Sequence, residues 1–360
     1  MLDADTFLTA LYAIVDDFHK ARPKEEHRRR RPGPDASLSP SEVATLAIFA
    51  RFSRFASERD FYRYANSRLR DAFPTLPDRS QFNRLARSHA QLIEEVALHL
   101  AEKMTAGGDG GGGDGGGGDG GGGGECPYEA LDSTAMVVRD AKRRGAGWLA
   151  GYADIGWSNR LGWYQGFRLL VAVSPKGVIT GFGFSSASTA DQPMAETFFA
   201  ARKHPNSSRL SSVGRAAWGP YIADKGFEGA ENHARWLECY GARVIHPPKR
   251  NSRERSWPKR LRRWAAGIRQ IVESVYDKLL NAFGLHRDRP HEMSGARARL
   301  AARVALHNFC IWLNEQLEIS SNLVDRLLRS RGYLLLSCFY QLSVCELGSG
   351  SDQRHQVSAG

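Results

Sequence analysis

Residues Phe167–Phe184 read FRLLVAVSPKGVITGFGF, and this stretch decides the fold class. Two apolar runs rich in β-branched and aromatic residues, 167–173 and 178–184, flank the turn sequence Ser-Pro-Lys-Gly, which predicts a β-hairpin. Upstream, residues 128–138 (YEALDSTAMVV) predict a further strand. The middle of the chain is therefore predicted to form three antiparallel strands.

Beyond the hairpin, helices and strands are predicted to alternate. A helix over 191–203 with Asp191 as its N-cap precedes a short strand at 220–224. A helix at 230–240 and a strand at 242–246 follow, and a long helix runs from about residue 260 into the 280s. Antiparallel strands followed by this alternation predict a mixed α/β sheet flanked by helices.

The N-terminal block, residues 1–105, is predicted to be all helical. Capping boxes at 39–42 and 78–81 open two helices, the second running through Leu100, and 57–69 predicts another between them. Arg28–Arg31, four consecutive arginines before a Pro-Gly-Pro sequence, predict an exposed basic loop. Short helices with an arginine loop suit a small domain that binds DNA ends, although any helical bundle shows a similar pattern.

Residues 107–124 contain 15 Gly and 3 Asp, a composition that has nothing to bury. We interpret this tract as a flexible tether between domains. The predicted organisation is a helical DNA-end-binding domain at 1–105, a tether at 106–125, a catalytic domain at 126–318 and an atypical tail at 319–360.

The excess positive charge is concentrated after the tether. Residues 125–318 carry 29 basic and 18 acidic side chains, whereas 1–105 carry 17 and 15. The segment Arg243–Arg263 holds nine basic residues against Glu254 alone. Such a density indicates binding of a polyanion through its phosphates, and the alternative is a solvated loop that only aids solubility.

Composition also excludes several classes of protein. The longest apolar run, Tyr333–Cys345, is too short for the roughly 20 residues that span a bilayer. The first 20 residues carry acids inside their apolar stretch and lack a basic start, unlike a signal peptide. Five cysteines without a C-x-x-C pair indicate a reducing compartment. We therefore expect a cytoplasmic protein with no membrane partner.

Three acids stand where catalysis is expected. Asp132 lies inside an otherwise apolar strand. Asp224 is the last residue of the strand PYIAD, and ligands bind at the carboxyl ends of strands in open α/β folds. Glu273 lies off the apolar stripe of the long helix, with Arg269 one turn earlier. Taken alone, Arg269–Glu273 is an ordinary exposed i,i+4 pair.

Together the three acids suggest a metal site. Converging carboxylates raise one another's pKa values unless cations neutralise them, and oxygen-only ligands select Mg²⁺ or Mn²⁺. A pair of such ions promotes in-line displacement at a phosphodiester.

The block from Cys126 to about Leu317 resembles the DDE domain of bacterial insertion-sequence transposases, which has a ribonuclease-H-like fold. The resemblance lies in four stretches: ALDSTAM around Asp132, YIADKGFEG around Asp224, ARVIHPPKRNS at 242–252 and RQIVESVYDKLL around Glu273. It implies that Asp132, Asp224 and Glu273 form the catalytic triad and hold two Mg²⁺ or Mn²⁺ ions.

The resemblance implies a DNA transposase that cleaves element ends and joins the freed 3′-OH to target DNA. Its partners are double-stranded DNA, as terminal inverted repeats and as target, and it acts in the bacterial nucleoid as a homodimer or larger assembly. A ribonuclease-H-like nuclease without strand transfer and a catalytically dead DNA-binding remnant stay open as alternatives.

Twelve residues are expected to contact DNA: Arg269, Lys225, Lys249, Arg250, Arg253, Arg255, Lys259, Arg260, Arg28, Arg29, Arg30 and Arg31. Many relatives carry Tyr-x2-Arg-x3-Glu-x6-Lys on the last helix. Arg269 and Glu273 match this signature, whereas Ala266 and Leu280 occupy its Tyr and Lys positions.

Overall fold

The computed structural model describes residues 3–22, 36–52, 55–105, 127–140, 149, 151–204, 214, 219–248 and 257–317. The predicted tether at 106–125 and the tail at 319–360 lie outside the described residues.

Five helices form the N-terminal block: α1 (Ala4–Ala21), α2 (Pro40–Phe49), α3 (Glu58–Arg68), α4 (Arg79–Ser88) and α5 (Ala90–Thr105). The capping box of α2 is present, because Glu42 N donates to Ser39 Oγ at 3.2 Å and Ser39 N donates to Glu42 Oε2 at 2.6 Å. Helix α1 lies within the block predicted to be helical, although its bounds were not predicted. The single helix predicted from Asp78 to Leu100 is in fact two helices that meet at His89.

Six strands form one sheet: β1 (Glu129–Asp140), β2 (Asp154–Ser158), β3 (Gly162–Val173), β4 (Ile179–Ser186), β5 (Tyr221–Ala223) and β6 (Val244–Ile245). One edge of β3 pairs antiparallel with β1, and its other edge pairs with β2 along its first half and β4 along its second. β5 is parallel to both β1 and β6. This confirms the predicted mixed sheet of antiparallel and parallel strands behind a helical N-terminal block, with β2 as an additional strand.

Helices cover both faces of the sheet. α6 (Asp191–Lys203) and α7 (Ala230–Tyr240) pack on one face through Phe198 and Trp236 against Leu131 and Leu170. The other face is covered by α8 (Lys259–Asp277), which continues as a π-helical turn, and by α9 (Met293–Gln316). Two short 3₁₀ turns, Lys225–Phe227 and Leu285–Arg287, complete the described elements.

The N-terminal helices share a hydrophobic core with α9 and with one face of the sheet. Buried Asn308 of α9 joins them, because its side-chain amide donates to the carbonyls of Ala97 in α5 and Ile179 in β4, at 3.0 and 2.9 Å. Its Oδ1 accepts from Ile179 N at 3.0 Å. The predicted domain boundaries stay predictions, and the two blocks pack through this common core. None of the described helices has the length and apolar content needed to cross a bilayer.

Candidate active site

Strands β1 and β5 place Asp132 and Asp224 next to each other. In the parallel ladder Leu131 lies opposite Ala223, so the following residue on each strand is an aspartate. Because side chains alternate along a strand and adjacent strands lie about 4.8 Å apart, the two carboxylates leave the same face of the sheet at neighbouring positions. This is the face that α8 covers.

Asp224 is held by the turn that follows β5. Its Oδ1 accepts a hydrogen bond from Gly226 N at 2.7 Å and caps the 3₁₀ turn. A Cβ at Gly226 would lie 2.9 Å from Asp224 Oδ1 and 2.6 Å from Asp191 Oδ2. These two oxygens are therefore no farther apart than the sum of those distances, and residue 226 has no room for a side chain between them.

Asp132 is held by its own strand and by α8. Its Oδ1 accepts from Ser133 N at 2.8 Å. The buried hydroxyl of Tyr276 donates to the carbonyl oxygen of Asp132 at 2.5 Å, with the carbonyl of Leu169 as a longer acceptor at 3.3 Å. Tyr276 thus fixes α8 against β1 and β3 at the level of Asp132.

The electrostatics of Asp132 fit a cation site. Burial, together with the neighbouring charge of Asp224, raises the pKa of Asp132 to about 7, while Arg269 acts in the opposite direction. A divalent cation beside the two carboxylates would relieve this repulsion. The donors are carboxylate oxygens, which are the ligands that Mg²⁺ and Mn²⁺ prefer.

Glu273 lies on the exposed side of α8 and is paired with Arg269. Arg269 Nε donates to Glu273 Oε1 at 2.9 Å, and the two side chains are 58% and 56% exposed. In this structure Arg269 and Glu273 therefore form an exposed i,i+4 ion pair, as the simpler interpretation of the sequence predicts. Both residues nevertheless line a cavity of about 500 Å³ together with Asp132.

Within the part of the chain that the structure describes, no three His, Cys, Asp or Glu side chains are grouped closely enough to hold one metal ion. The Asp132–Asp224 pair fits such an ion by its chemistry. The participation of Glu273 stays a prediction.

Basic side chains surround the two aspartates. A second cavity, of about 250 Å³, joins Asp132 and Asp224 and is also lined by Lys225, Arg262 and Arg269. Positive charge therefore adjoins the paired acids, where a phosphodiester would bind.

The other predicted DNA contacts are placed in part. Lys259 and Arg260 are exposed in the first turn of α8, away from the lining of both cavities. Lys249, Arg250, Arg253, Arg255 and Arg28–Arg31 lie outside the described residues.

Asp191 is a fourth carboxylate at the site. Its predicted role as the N-cap of α6 was wrong. The N-cap of α6 is Ala190, and no side chain caps this helix. Asp191 Oδ1 instead accepts from Ser133 Oγ at 2.5 Å and from Arg168 Nη1 at 2.7 Å. An aspartate at a helix start looks like a cap in sequence, so no local signal could have revealed this role.

The raised pKa of Asp132 predicts an unusual stability effect. The native state keeps this proton up to about pH 7, whereas the unfolded chain releases it near pH 3.9. Between these values the native state binds more protons, so this group's contribution to stability falls as pH rises. We expect Asp132→Asn to raise the free energy of unfolding of the metal-free protein by about 4 kcal/mol at pH 8, and hardly at pH 4.

Urea denaturation at the two pH values measures this difference. Asp277→Asn is the matched control, because Asp277 is an exposed acid at the end of α8 and lines the same cavity as Asp132. An equal effect of Asp132→Asn at both pH values would show that its ionisation is not the cause.

The sequence profile of the family described as Transposase DDE domain matches residues 130–309. The match covers half of the chain, from β1 into α9, and includes both aspartates of the β1–β5 pair. The chain belongs to this transposase family. The resemblance of Asp132, Asp224 and Glu273 to a DDE triad therefore lies within the matched region.

Other comparisons add little to the transposase assignment. No curated protein matches the chain significantly. One solved structure that aligns with the transposase is the cryo-EM structure of a piggyBac transposase synaptic complex with hairpin DNA. It has a TM-score of 0.37 and 11% identity over 97% of this chain and 85% of that chain, values too low to support a conclusion.

Proposed function

We propose that this chain is the transposase of an insertion sequence, which cleaves the element's ends and joins the freed 3′-OH to target DNA. The observation that supports this most strongly is the β1–β5 register, which brings Asp132 and Asp224 together beside Arg269 and Lys225. A site with paired acids and adjoining basic side chains suits phosphoryl transfer better than binding alone.

Asp132 and Asp224 would hold the divalent cations, and Glu273 would join them by leaving its pair with Arg269. When bound, two Mg²⁺ or Mn²⁺ ions would stabilise the negative charge on the attacking and leaving oxygens. Rearrangement at Glu273 would also free the guanidinium of Arg269 for a DNA phosphate.

The remaining residues would position the DNA. Tyr276 keeps α8 in register with Asp132, and Arg262 in the first turn of this helix lines the cavity that joins Asp132 and Asp224. Lys225, Lys259 and Arg260 would contact the phosphate backbone near the site. Lys249, Arg250, Arg253 and Arg255 would extend this contact, and the helical block with Arg28–Arg31 would bind the terminal repeats.

The reaction has two chemically similar steps. In the first, a water oxygen bonds to the scissile phosphorus while the bond from phosphorus to the 3′ oxygen breaks, leaving a 5′ phosphate and a 3′-OH. In the second, that 3′ oxygen bonds to a target phosphorus, loses its proton and displaces the target's own 3′ oxygen. Two element ends must be held together, so a homodimer or larger assembly on nucleoid DNA is part of the proposal.

A cleavage and joining assay tests the proposal. The protein is incubated with Mg²⁺ or Mn²⁺, a labelled duplex carrying the sequence that flanks its reading frame, and a supercoiled target plasmid. We expect nicking at the element end and a product in which the labelled strand is joined to the plasmid. Nicking without joining would indicate a nuclease, binding without nicking a dead remnant, and neither binding nor nicking would contradict a role on DNA.

A further inference from the structure

The β2–β3 hairpin carries a group of exposed apolar side chains that the proposed catalytic role leaves unexplained. Trp157 and Trp163 lie directly opposite each other on the two strands and are 50% and 69% exposed. Ile155 is also more than half exposed. Large apolar side chains grouped on a surface usually mark a binding site.

These rings lie on the same face of the sheet as the active site. Trp163 points to the same side of β3 as Phe167, Leu169 and Val171, because it lies an even number of residues from each. The side chains of these three residues pack in the core under α8 and α9. Val171 lies opposite Asp132. Trp163, its partner Trp157 and the carboxylate of Asp132 therefore project from one face of the sheet.

The tip of the hairpin reaches the catalytic cavity. Ser158, Asn159 and Arg160 line the same 500 Å³ cavity as Asp132 and Glu273. The turn is ordered by its own contacts, because Leu161 N donates to Ser158 Oγ at 3.2 Å and Gly162 adopts a φ of +70°. The aromatic pair therefore adjoins an ordered turn that lines the catalytic cavity, while neither ring lines that cavity itself. Eight residues of β3, roughly 26 Å at about 3.3 Å per residue, separate Trp163 from Val171, which lies opposite Asp132.

The chemistry of this surface selects a ligand that has flat apolar groups and negative charge. Arg160 has no acidic partner among the described residues, whereas Arg168 and Arg269, which line the same cavity, pair with Asp191 and Glu273. Tryptophan faces stack on nucleobases, and arginines bind the phosphates between them. Inside a duplex both faces of every base pair are already stacked, so unpaired nucleotides offer the tryptophans much more base surface.

We propose that the β2–β3 hairpin binds unpaired nucleotides of the DNA end by stacking them on Trp157 and Trp163, beside the turn that lines the catalytic cavity. This inference rests on the proposed function and specifies the form of DNA that the site prefers: an end whose terminal base pairs are open. The hairpin would hold the separated strand while Asp132 and Asp224 face the scissile phosphate.

Binding measurements without divalent metal test the hairpin separately from catalysis. Two labelled duplexes of equal length are compared, one fully paired and one with mismatches over its last few positions. We expect the full-length protein to bind the open end about tenfold more tightly and Trp157→Ala or Trp163→Ala to abolish that preference. Trp163→Phe should retain most of the preference, because phenylalanine still offers a ring face.

Leu237→Ala is the matched control, because Leu237 is 54% exposed on α7, on the opposite side of the sheet. Equal binding of both duplexes by the wild type, or a preference that survives both alanine variants, would overturn the inference and leave the proposed function intact. A change in self-association instead of DNA affinity would identify the face as an interface between copies and also overturn it. Failure to bind either duplex would contradict the proposed function itself.

Discussion

Asp224→Asn is expected to lower the rate of strand cleavage about 10³-fold, because it removes one of the two charges that would hold the divalent cations. Asparagine has the same shape, and its carbonyl can still accept the hydrogen bond that Gly226 N donates to Asp224 Oδ1. The turn Lys225–Phe227 should therefore stay folded. The loss should appear in the rate of nicking and not in the affinity for DNA.

Single-turnover nicking of the flanking-end duplex measures this effect, and DNA affinity is measured in parallel without metal. Glu231→Gln is the matched control, since Glu231 is an exposed acid in the first turn of α7 and lies outside both cavities. Nicking at the wild-type rate by Asp224→Asn would remove Asp224 from the mechanism.

Glu129→Gln is expected to destabilise the fold by about 3–5 kcal/mol, because it removes the carboxylate charge that pairs with the buried guanidinium of Arg202. The Glu129 and Arg202 side chains are 3% and 1% exposed and form a direct ion pair. Arg202 Nη1 also donates to the hydroxyl of Tyr221 at 2.9 Å. Glu129 lies opposite Tyr221 in the β1–β5 ladder, so this cluster stabilises the register that aligns Asp132 with Asp224.

Urea denaturation of the two proteins measures the difference in the free energy of unfolding. Glu196→Gln is the matched control, because Glu196 lies on the same helix as Arg202 and pairs with Arg235 at the surface, where the loss should stay below about 1 kcal/mol. Similar losses for the two variants would show that the buried pair has no special role.

The elements with local sequence signals could be predicted. The turn Ser174–Gly177 has a proline and a glycine, and Gly177 takes the left-handed φ of +84° that the hairpin requires. Ser39 and Glu42 form their capping box within four residues. Such contacts depend on neighbours in the chain, which is why the sequence alone indicates them.

Helix α9 could not be predicted because it has no polar face to reveal its period. Sixteen of its 24 residues are buried, including the polar Arg303, His307 and Asn308, so its sequence lacks the apolar stripe that marks a surface helix. Strand β2 is only five residues long and contains Gly156. Its pairing depends on β3, not on its own composition.

The active site could be predicted only in part, because only some of its residues have a signal in the neighbouring sequence. Asp132 and Asp224 follow apolar strand residues, and the parallel pairing of adjacent strands then aligns them. Asp191 contacts Ser133 across 58 positions of sequence, and Arg168 reaches it across 23. Long-range contacts of this kind depend on how α6 packs on the sheet.

The central claim is that Asp132 and Asp224 hold the catalytic cations, and iron-mediated cleavage of the polypeptide tests it most directly. Fe²⁺ that occupies the site in place of Mg²⁺ generates hydroxyl radicals, with ascorbate and peroxide, that cut the adjacent backbone. We predict cuts next to Asp132 and Asp224 that excess Mg²⁺ suppresses and that Asp224→Asn abolishes. Cuts confined to other positions, or a pattern that Asp224→Asn leaves unchanged, would contradict the claim.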